Sequence, residues 1–111
     1  MNVIKKDSLV EISDTQIDLV SLVMKITQEY KSFEKDNIII NISNFKNIKI
    51  KDLDNFLPLI KQHTSNKHSF IIVVSDINFN KVSEKINAVP TIQEAHDLID
   101  MEEIERDLAY N

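Results

Sequence analysis

The chain has 111 residues, a net charge of −5, and neither cysteine nor glycine. One domain fits this length, and without cysteine there is no disulfide, thiolate zinc site or thiol nucleophile. Phosphate-binding loops need glycine for close backbone approach and positive φ, so a Walker loop and a dinucleotide fingerprint are excluded, and an acidic chain lacks the basic face that duplex DNA demands.

The first third of the sequence predicts two strands and a helix. Val3-Ile4 and the apolar residues 9–12 flank a polar turn, which is typical of two short strands in a hairpin. Thr15, followed three residues later by Asp18, indicates a helix start. Apolar residues then recur at helical spacing: Leu19, Leu22, Val23, Ile26, Tyr30 and Phe33.

The middle of the chain predicts a parallel strand–helix–strand crossover. Residues 37–42 and 69–74 are continuous apolar, β-branched runs, which suit parallel strands covered on both faces. Between them a helical pattern comprises Leu53, Phe56, Leu57 and Ile60, with Asp52 as its cap. Pro58 removes an interior hydrogen bond, so we expect a kink there or a regular helix that begins only near Leu57.

The last third predicts a short strand and a final helix. Residues 86–89 form the strand, Pro90 stops it, and Thr91 with Glu94 forms a capping box. On this helix one apolar set, Ile92, Ala95 and Ile99, lies nearly opposite a second set, Met101, Ile104 and Leu108. A straight helix could not bury both sets in one core, so we expect it to bend or restart near Asp100.

Charge divides the chain at the same place. Residues 1–90 hold 12 lysines against 11 acids, whereas residues 91–111 hold seven acids against Arg106. We therefore predict an α/β domain over residues 1–100 with an acidic helical extension over 101–111. Met101, Ile104 and Leu108 would contact either the domain's own edge or a second subunit, and in a homodimer the acidic tails would lie against residues 46–51 of the neighbour.

Residues 44–52, the basic loop, form the candidate partner-binding site. They follow the carboxyl end of a predicted parallel strand, where open α/β sheets tend to place binding sites. Three lysines near a helix start would favour an anion or an acidic partner; a solubilising connector is the alternative. The site comprises Asn44, Lys46, Asn47, Lys49, Lys51 and Asp52.

No motif predicts catalysis, a metal site or a cofactor. His63, His68 and His96 show no metal-ligand spacing, and no serine lies in a nucleophile elbow. Since glycine is absent, turns that need positive φ must use residues that tolerate it, chiefly Asn and Asp. We expect positive φ at Asn37, Asn44, Asn47 and Asn66.

The element order, β-β-α-β-α-β-(short)-β-α in a mixed sheet of four or five strands covered by helices, resembles the STAS domain of bacterial anti-sigma factor antagonists and sulfate-transporter tails. Residues 38–43 look like the family's strand that ends in Asp-Leu-Ser, and residues 90–95 look like the start of its last helix. The resemblance covers residues 1–100 and implies a regulatory, protein-binding module.

The chain lacks the characteristic motif of each of two groups of proteins that it resembles. Regulated antagonists carry a phosphorylated Asp-Ser-Ser/Thr-Gly motif after the third strand, where this chain has residues 49–52 without Ser, Thr or Gly. Residues 89–108 are similar to short bacterial chains that carry the name ribonuclease Z. Genuine members of that enzyme family bind two zincs through a His-x-His-x-Asp-His motif, which this sequence lacks.

Three functions follow as hypotheses. The first is a non-catalytic interaction domain that docks a protein partner through the basic loop, without the phosphorylation switch. The second is a small-molecule or nucleotide sensor that uses the same loop, although missing glycine argues against a nucleotide. The third is an accessory to ribonuclease Z. We also expect a cytoplasmic location, since the longest apolar run, residues 70–74, is too short to cross a bilayer.

Overall fold

Strands and helices alternate along residues 1–110, the part of the chain that the computed structural model describes. The strands are β1 (Asn2–Lys6), β2 (Leu9–Ser13), β3 (Asn37–Asn41), β4 (Phe70–Val73) and β5 (Asn87–Val89). The α-helices are α1 (Leu19–Gln28), α2 (Leu57–Ser65) and α3 (Ile92–Tyr110), with 3₁₀ helices at Tyr30–Ser32, Ile50–Phe56 and Phe79–Lys81. Within this range no helix combines the length and apolar character needed to cross a bilayer.

The five strands form one mixed sheet in the order β1-β2-β3-β4-β5. β1 pairs antiparallel with β2, and β2 to β5 pair in parallel. The predicted α/β class is therefore confirmed. Because parallel neighbours run in the same direction, the loops that follow β3 and β4 emerge at one edge, which we call the carboxyl edge; the opposite one is the amino edge.

Helices cover both faces of the sheet, which explains why β3 and β4 are continuously apolar. Ile38 and Ile40 pack into a large core with α1, α2 and the 3₁₀ helices. Ile39, pointing the other way, packs with Ala95 and Ile99 of α3 in a smaller cluster. Each fully buried side chain of this size contributes about 1.5–3 kcal/mol.

The first helix begins and ends at other residues than the sequence pattern predicts. Asp18, not Thr15, caps α1, and its Oδ1 accepts a hydrogen bond from the Ser21 N–H at 2.8 Å. The α-helix ends at Gln28, and a 3₁₀ turn continues the chain. Tyr30 and Phe33 are nevertheless buried, because that turn still faces the core. The apolar spacing therefore predicts that these residues are buried, but it does not show where the α-helix ends and the 3₁₀ helix begins.

Pro58 determines where α2 begins. Residues Ile50–Phe56 form a 3₁₀ helix, and the regular helix starts at Leu57 with Pro58 in its first turn. There the missing proline N–H costs nothing, because the first N–H groups of a helix have no intrahelical partner. The second of the two predicted outcomes, a regular helix from Leu57, is confirmed.

α3 runs without a break from Ile92 to Tyr110, so the helix does not restart near Asp100. The reason is that the second half binds the sheet through polar rather than apolar side chains. Glu103 Oε1 accepts from Asn37 Nδ2 at 2.6 Å, and Glu102 Oε2 accepts from Asn87 Nδ2 at 3.1 Å. Arg106 donates to Ser69 Oγ at 3.1 Å. We call these contacts at the amino edge the polar clasp.

The second apolar set of α3 therefore points away from the sheet. Met101, Ile104 and Leu108 are 57%, 60% and 71% exposed. These three side chains do not pack against the edge of their own domain, so the first of the two predicted contacts is wrong. The predicted extension is part of the same continuous helix as far as Tyr110, and Asn111 lies outside the described residues.

Among residues 1–110, positive φ occurs at Asp7, Asn47, Lys67 and Asp76. Of the four predicted positions only Asn47 is confirmed. Asn37 lies in β3 and Asn66 has a φ of −85° as the C-cap of α2. The left-handed residue follows one position later, at Lys67, where helices usually place glycine.

Candidate functional site

An open depression of about 540 Å³ lies at the carboxyl edge, between the loops that follow β3 and β4. Two residues with positive φ, Asn47 (61°) and Asp76 (60°), bend these loops. The lining residues are Ser43, Asn44, Phe45, Lys46, Asn47, Ile48, Ser75 and Asp76. The basic loop is thus part of a real concavity of the surface.

Hydrogen bonds hold the depression's floor against the sheet. The side-chain oxygen of Asn41, at the end of β3, accepts from Ser43 Oγ at 2.6 Å and from the Ser43 N–H at 3.1 Å. Ser75 Oγ donates to the Ser43 carbonyl at 3.5 Å and links the two loops. The strand ends therefore fix the position from which the basic loop departs.

The structure brings together only part of the predicted site. Asn44, Lys46 and Asn47 line the depression, whereas Lys49, Lys51 and Asp52 do not. Lys49 and Lys51 are exposed just beyond it. Asp52 caps the 3₁₀ helix instead, because its Oδ2 accepts from the Lys49 N–H at 2.8 Å.

The loop after β4 contributes residues that sequence reasoning missed. Ser75 and Asp76 line the depression opposite Lys46. A signal for them existed: they directly follow β4, and β4 is the parallel neighbour of β3. Lys46 and Asp76 both line the depression and carry opposite charges, whereas the other two lysines of the basic loop, Lys49 and Lys51, lie outside its lining.

His63 belongs to the core rather than to a surface site. His63 is fully buried, and its Nε2 lies 2.7 Å from the Asp36 carbonyl oxygen. A carbonyl only accepts, so Nε2 carries the proton and Nδ1 accepts from the Tyr30 hydroxyl at 2.7 Å. Burial lowers the pKa of His63 to about 4, which keeps it neutral and structural at neutral pH.

No family model matches the chain, and no curated protein matches it either. Among residues 1–110, no group of three or more His, Cys, Asp or Glu side chains is placed to hold a metal ion. What the carboxyl edge can bind is therefore argued from its own residues and their geometry.

Proposed function

We propose that the protein is a non-catalytic interaction domain of the STAS type, which binds an acidic protein surface through the basic loop. The observation that carries the proposal is that Lys46, Lys49 and Lys51 are all exposed in the segment that leaves the carboxyl edge after β3. These three charges project from a loop that hydrogen bonds anchor to β3 and β4. A rigid scaffold that presents a charged loop is a common form of recognition surface.

The order of the elements supports a STAS-type module. Two strands, a helix, a strand, a second helix, two strands and a last helix follow one another, as in that family. Lysines and a capping aspartate occupy the segment where regulated antagonists carry their phosphorylated motif. We infer that this surface is permanently cationic and that binding is not switched at this segment.

The charge distribution favours a protein over a small anion. Within the depression Lys46 is balanced by Asp76, so a small anion seated there would gain little. The larger surface of a protein would also reach Lys49 and Lys51. Charges at the periphery of an interface act mainly by raising the rate at which the two proteins associate. A small-molecule sensor and an accessory to ribonuclease Z are the competing proposals.

The test is a capture experiment in the source cell. The tagged wild type and the variant Lys46→Glu/Lys49→Glu/Lys51→Glu are recovered in parallel, and bound proteins are quantified by mass spectrometry. The matched control is Lys31→Glu/Lys35→Glu/Lys81→Glu, which changes the net charge equally at exposed sites elsewhere. We expect an acidic protein that the wild type and the control retain and the loop variant loses.

Two results would count against this function. Equal recovery of every bound protein by the loop variant would place the interaction elsewhere. A stoichiometric small molecule bound to the wild type, lost on Asp76→Ala but kept by the loop variant, would favour the sensor instead.

A further inference from the structure

Exposed large apolar side chains occur on three elements of the described chain. They are Val3 and Ile4 of β1, Val20 and Met24 of α1, and Met101, Ile104 and Leu108 of α3. The two on β1 are successive strand residues and therefore point to opposite faces of the sheet. The three on α3, which we call the stripe, form the largest group, and an exposed apolar surface with a polar border marks an interaction site.

The apolar pair of α1 and the stripe lie on opposite faces of the sheet. α1 packs with Ile38 and Ile40 of β3 in the large core, whereas α3 packs with Ile39 of β3 in the smaller cluster. Because successive residues of a strand point to opposite faces, one partner helix cannot cover both groups. The α1 pair therefore serves as the control for the stripe.

The stripe has the spacing of a coiled-coil seam. Met101, Ile104 and Leu108 are separated by three and by four residues, which makes them the a, d and a positions of a heptad repeat. The buried side chains of α3, Ala95 and Ile99, occupy the side that faces the sheet. A second helix that packs lengthwise on the outer side would insert its own apolar side chains between those of the stripe.

Acidic residues border this seam on both sides. Asp100 and Asp107 are at g positions and Glu105 is at the e position, and all three are exposed. None of them forms an ion pair within the part of the chain that the structure describes. Arg106, the only lysine or arginine of α3, is turned towards the sheet as part of the polar clasp. The outer face of α3 is therefore apolar with a negative border that no cation of α3 balances.

We propose that the outer face of α3 binds one helix of a protein partner, a helix with apolar residues at its a and d positions and lysine or arginine at its e and g positions. Apolar packing in the seam supplies the affinity, and ion pairs between e and g positions select the partner. The same carboxylates repel anionic lipid headgroups and nucleic-acid phosphates. This inference is independent of the proposed function, since the basic loop takes no part in it.

A second copy of the chain does not have the chemistry that this face requires. Two stripes packed against each other would place acidic e and g positions together, and like charges there oppose pairing. The predicted counterpart in a homodimer, residues 46–51, is a loop that leads into a 3₁₀ helix, whereas heptad packing needs a regular α-helix. The other two α-helices each contain a single lysine, Lys25 in α1 and Lys61 in α2, so neither has basic borders.

The test uses a synthetic helical peptide with leucine at its a and d positions and lysine at its e and g positions, the Lys peptide. Fluorescence anisotropy of the labelled peptide is followed as the full chain is added, and we expect saturable binding of one peptide per chain. Ile104→Ser/Leu108→Ser should raise the dissociation constant roughly tenfold or more, because apolar burial in the seam is lost. The matched control Val20→Ser/Met24→Ser should leave it unchanged. All four side chains are exposed, and circular dichroism verifies that each variant is folded.

A charge exchange tests the choice of partner. Asp100→Lys/Glu105→Lys/Asp107→Lys should weaken binding of the Lys peptide roughly tenfold or more. The same variant should bind a second peptide, with glutamate in place of every lysine, which the wild type rejects. The control Glu29→Lys/Asp54→Lys/Glu84→Lys changes the net charge equally at exposed sites outside α3, and it should retain the Lys peptide.

Several results would overturn the proposal. One is a wild type that binds neither peptide, or both equally well. Another is a loss of the Lys peptide in the control variants as large as in the variants of α3. A dimer of the wild type in sedimentation equilibrium that Ile104→Ser/Leu108→Ser dissociates would assign the stripe to a second copy. Cosedimentation with phosphatidylglycerol vesicles that the same variant loses would assign it to a membrane surface.

Discussion

His63 is fully buried, and burial keeps it neutral by lowering its pKa, although the hydrogen bond to the Asp36 carbonyl acts in the opposite direction. The fold is therefore sensitive to acid. The folded-state pKa of about 4 lies below the unfolded value of 6.5. The unfolded chain therefore binds a proton first, and stability that is complete above pH 6.5 is lost as the pH falls towards 4. A shift of this size corresponds to a loss of ~3 kcal/mol in the free energy of unfolding.

Urea unfolding at several pH values measures this effect. His63→Gln, which can also accept and donate, should abolish the loss, whereas the control His96→Gln should retain it. Asp14 acts in a different window: a hydrogen bond from the Met1 amino group lowers its pKa from 3.8 to about 2, so its contribution disappears only below pH 3.8. The same pH dependence in His63→Gln and the wild type would show that His63 does not titrate on unfolding.

Asp7 shows what the lack of glycine does to a turn. It has a φ of 56° in the two-residue loop between β1 and β2. This conformation costs most residues with a Cβ about 1–2 kcal/mol, but it costs aspartate less because a short polar side chain can hydrogen-bond locally. The greater freedom of glycine in the unfolded chain offsets about 0.5–1 kcal/mol of the gain. We expect Asp7→Gly to raise the free energy of unfolding by at most about 0.5 kcal/mol in urea titrations. A decrease would mean that the aspartate makes a stabilising contact.

At the scale of elements, the polar clasp determines whether the end of α3 stays on the sheet. The apolar contacts of α3 end at Ile99, so Glu103 and Arg106 bind the following turns. Glu103→Ala/Arg106→Ala leaves the Asn37 amide without these partners and should cost about 1–3 kcal/mol. Hydrogen exchange should then lose protection over residues 101–109 while β3 and β4 keep theirs.

Glu105→Ala is the control for this prediction, because its side chain is exposed on the same helix. It should leave protection of the last turns unchanged. Unchanged protection in the double variant would contradict the assigned role of the clasp, since it would mean that α3 holds its position by helix propensity alone.

The apolar pattern of the sequence predicts those elements that are buried along one face, as in a helix, or on both faces, as in β3 and β4. The continuous apolar runs predict β3 and β4, and Pro58 predicts where α2 begins. Each of these predictions depends on a rule that is local in the sequence. The continuity of α3 past Asp100 could not be predicted in this way, because Glu102, Glu103 and Arg106 find partners on or next to strands distant in sequence. In the sequence these residues resemble an ordinary solvated face.

At the scale of the molecule, the basic loop and the polar clasp lie at opposite edges of the sheet. The carboxyl edge presents the basic loop, and the amino edge presents the acidic end of α3 with the polar clasp. The sequence predicted Asn44, Lys46 and Asn47 at one concavity, since a loop after a parallel strand must lie there. It did not predict the opposing Asp76, because a pairing between loops depends on which strands are neighbours.

The most direct test of the proposed function is the rate of association with the captured acidic partner, measured by stopped flow at low and at high salt. We predict that the wild type associates quickly at low salt and that Lys46→Glu/Lys49→Glu/Lys51→Glu slows this step by roughly tenfold or more, with a weaker dependence on salt and a little-changed dissociation rate. An association rate equal to that of the wild type at low salt would contradict the account.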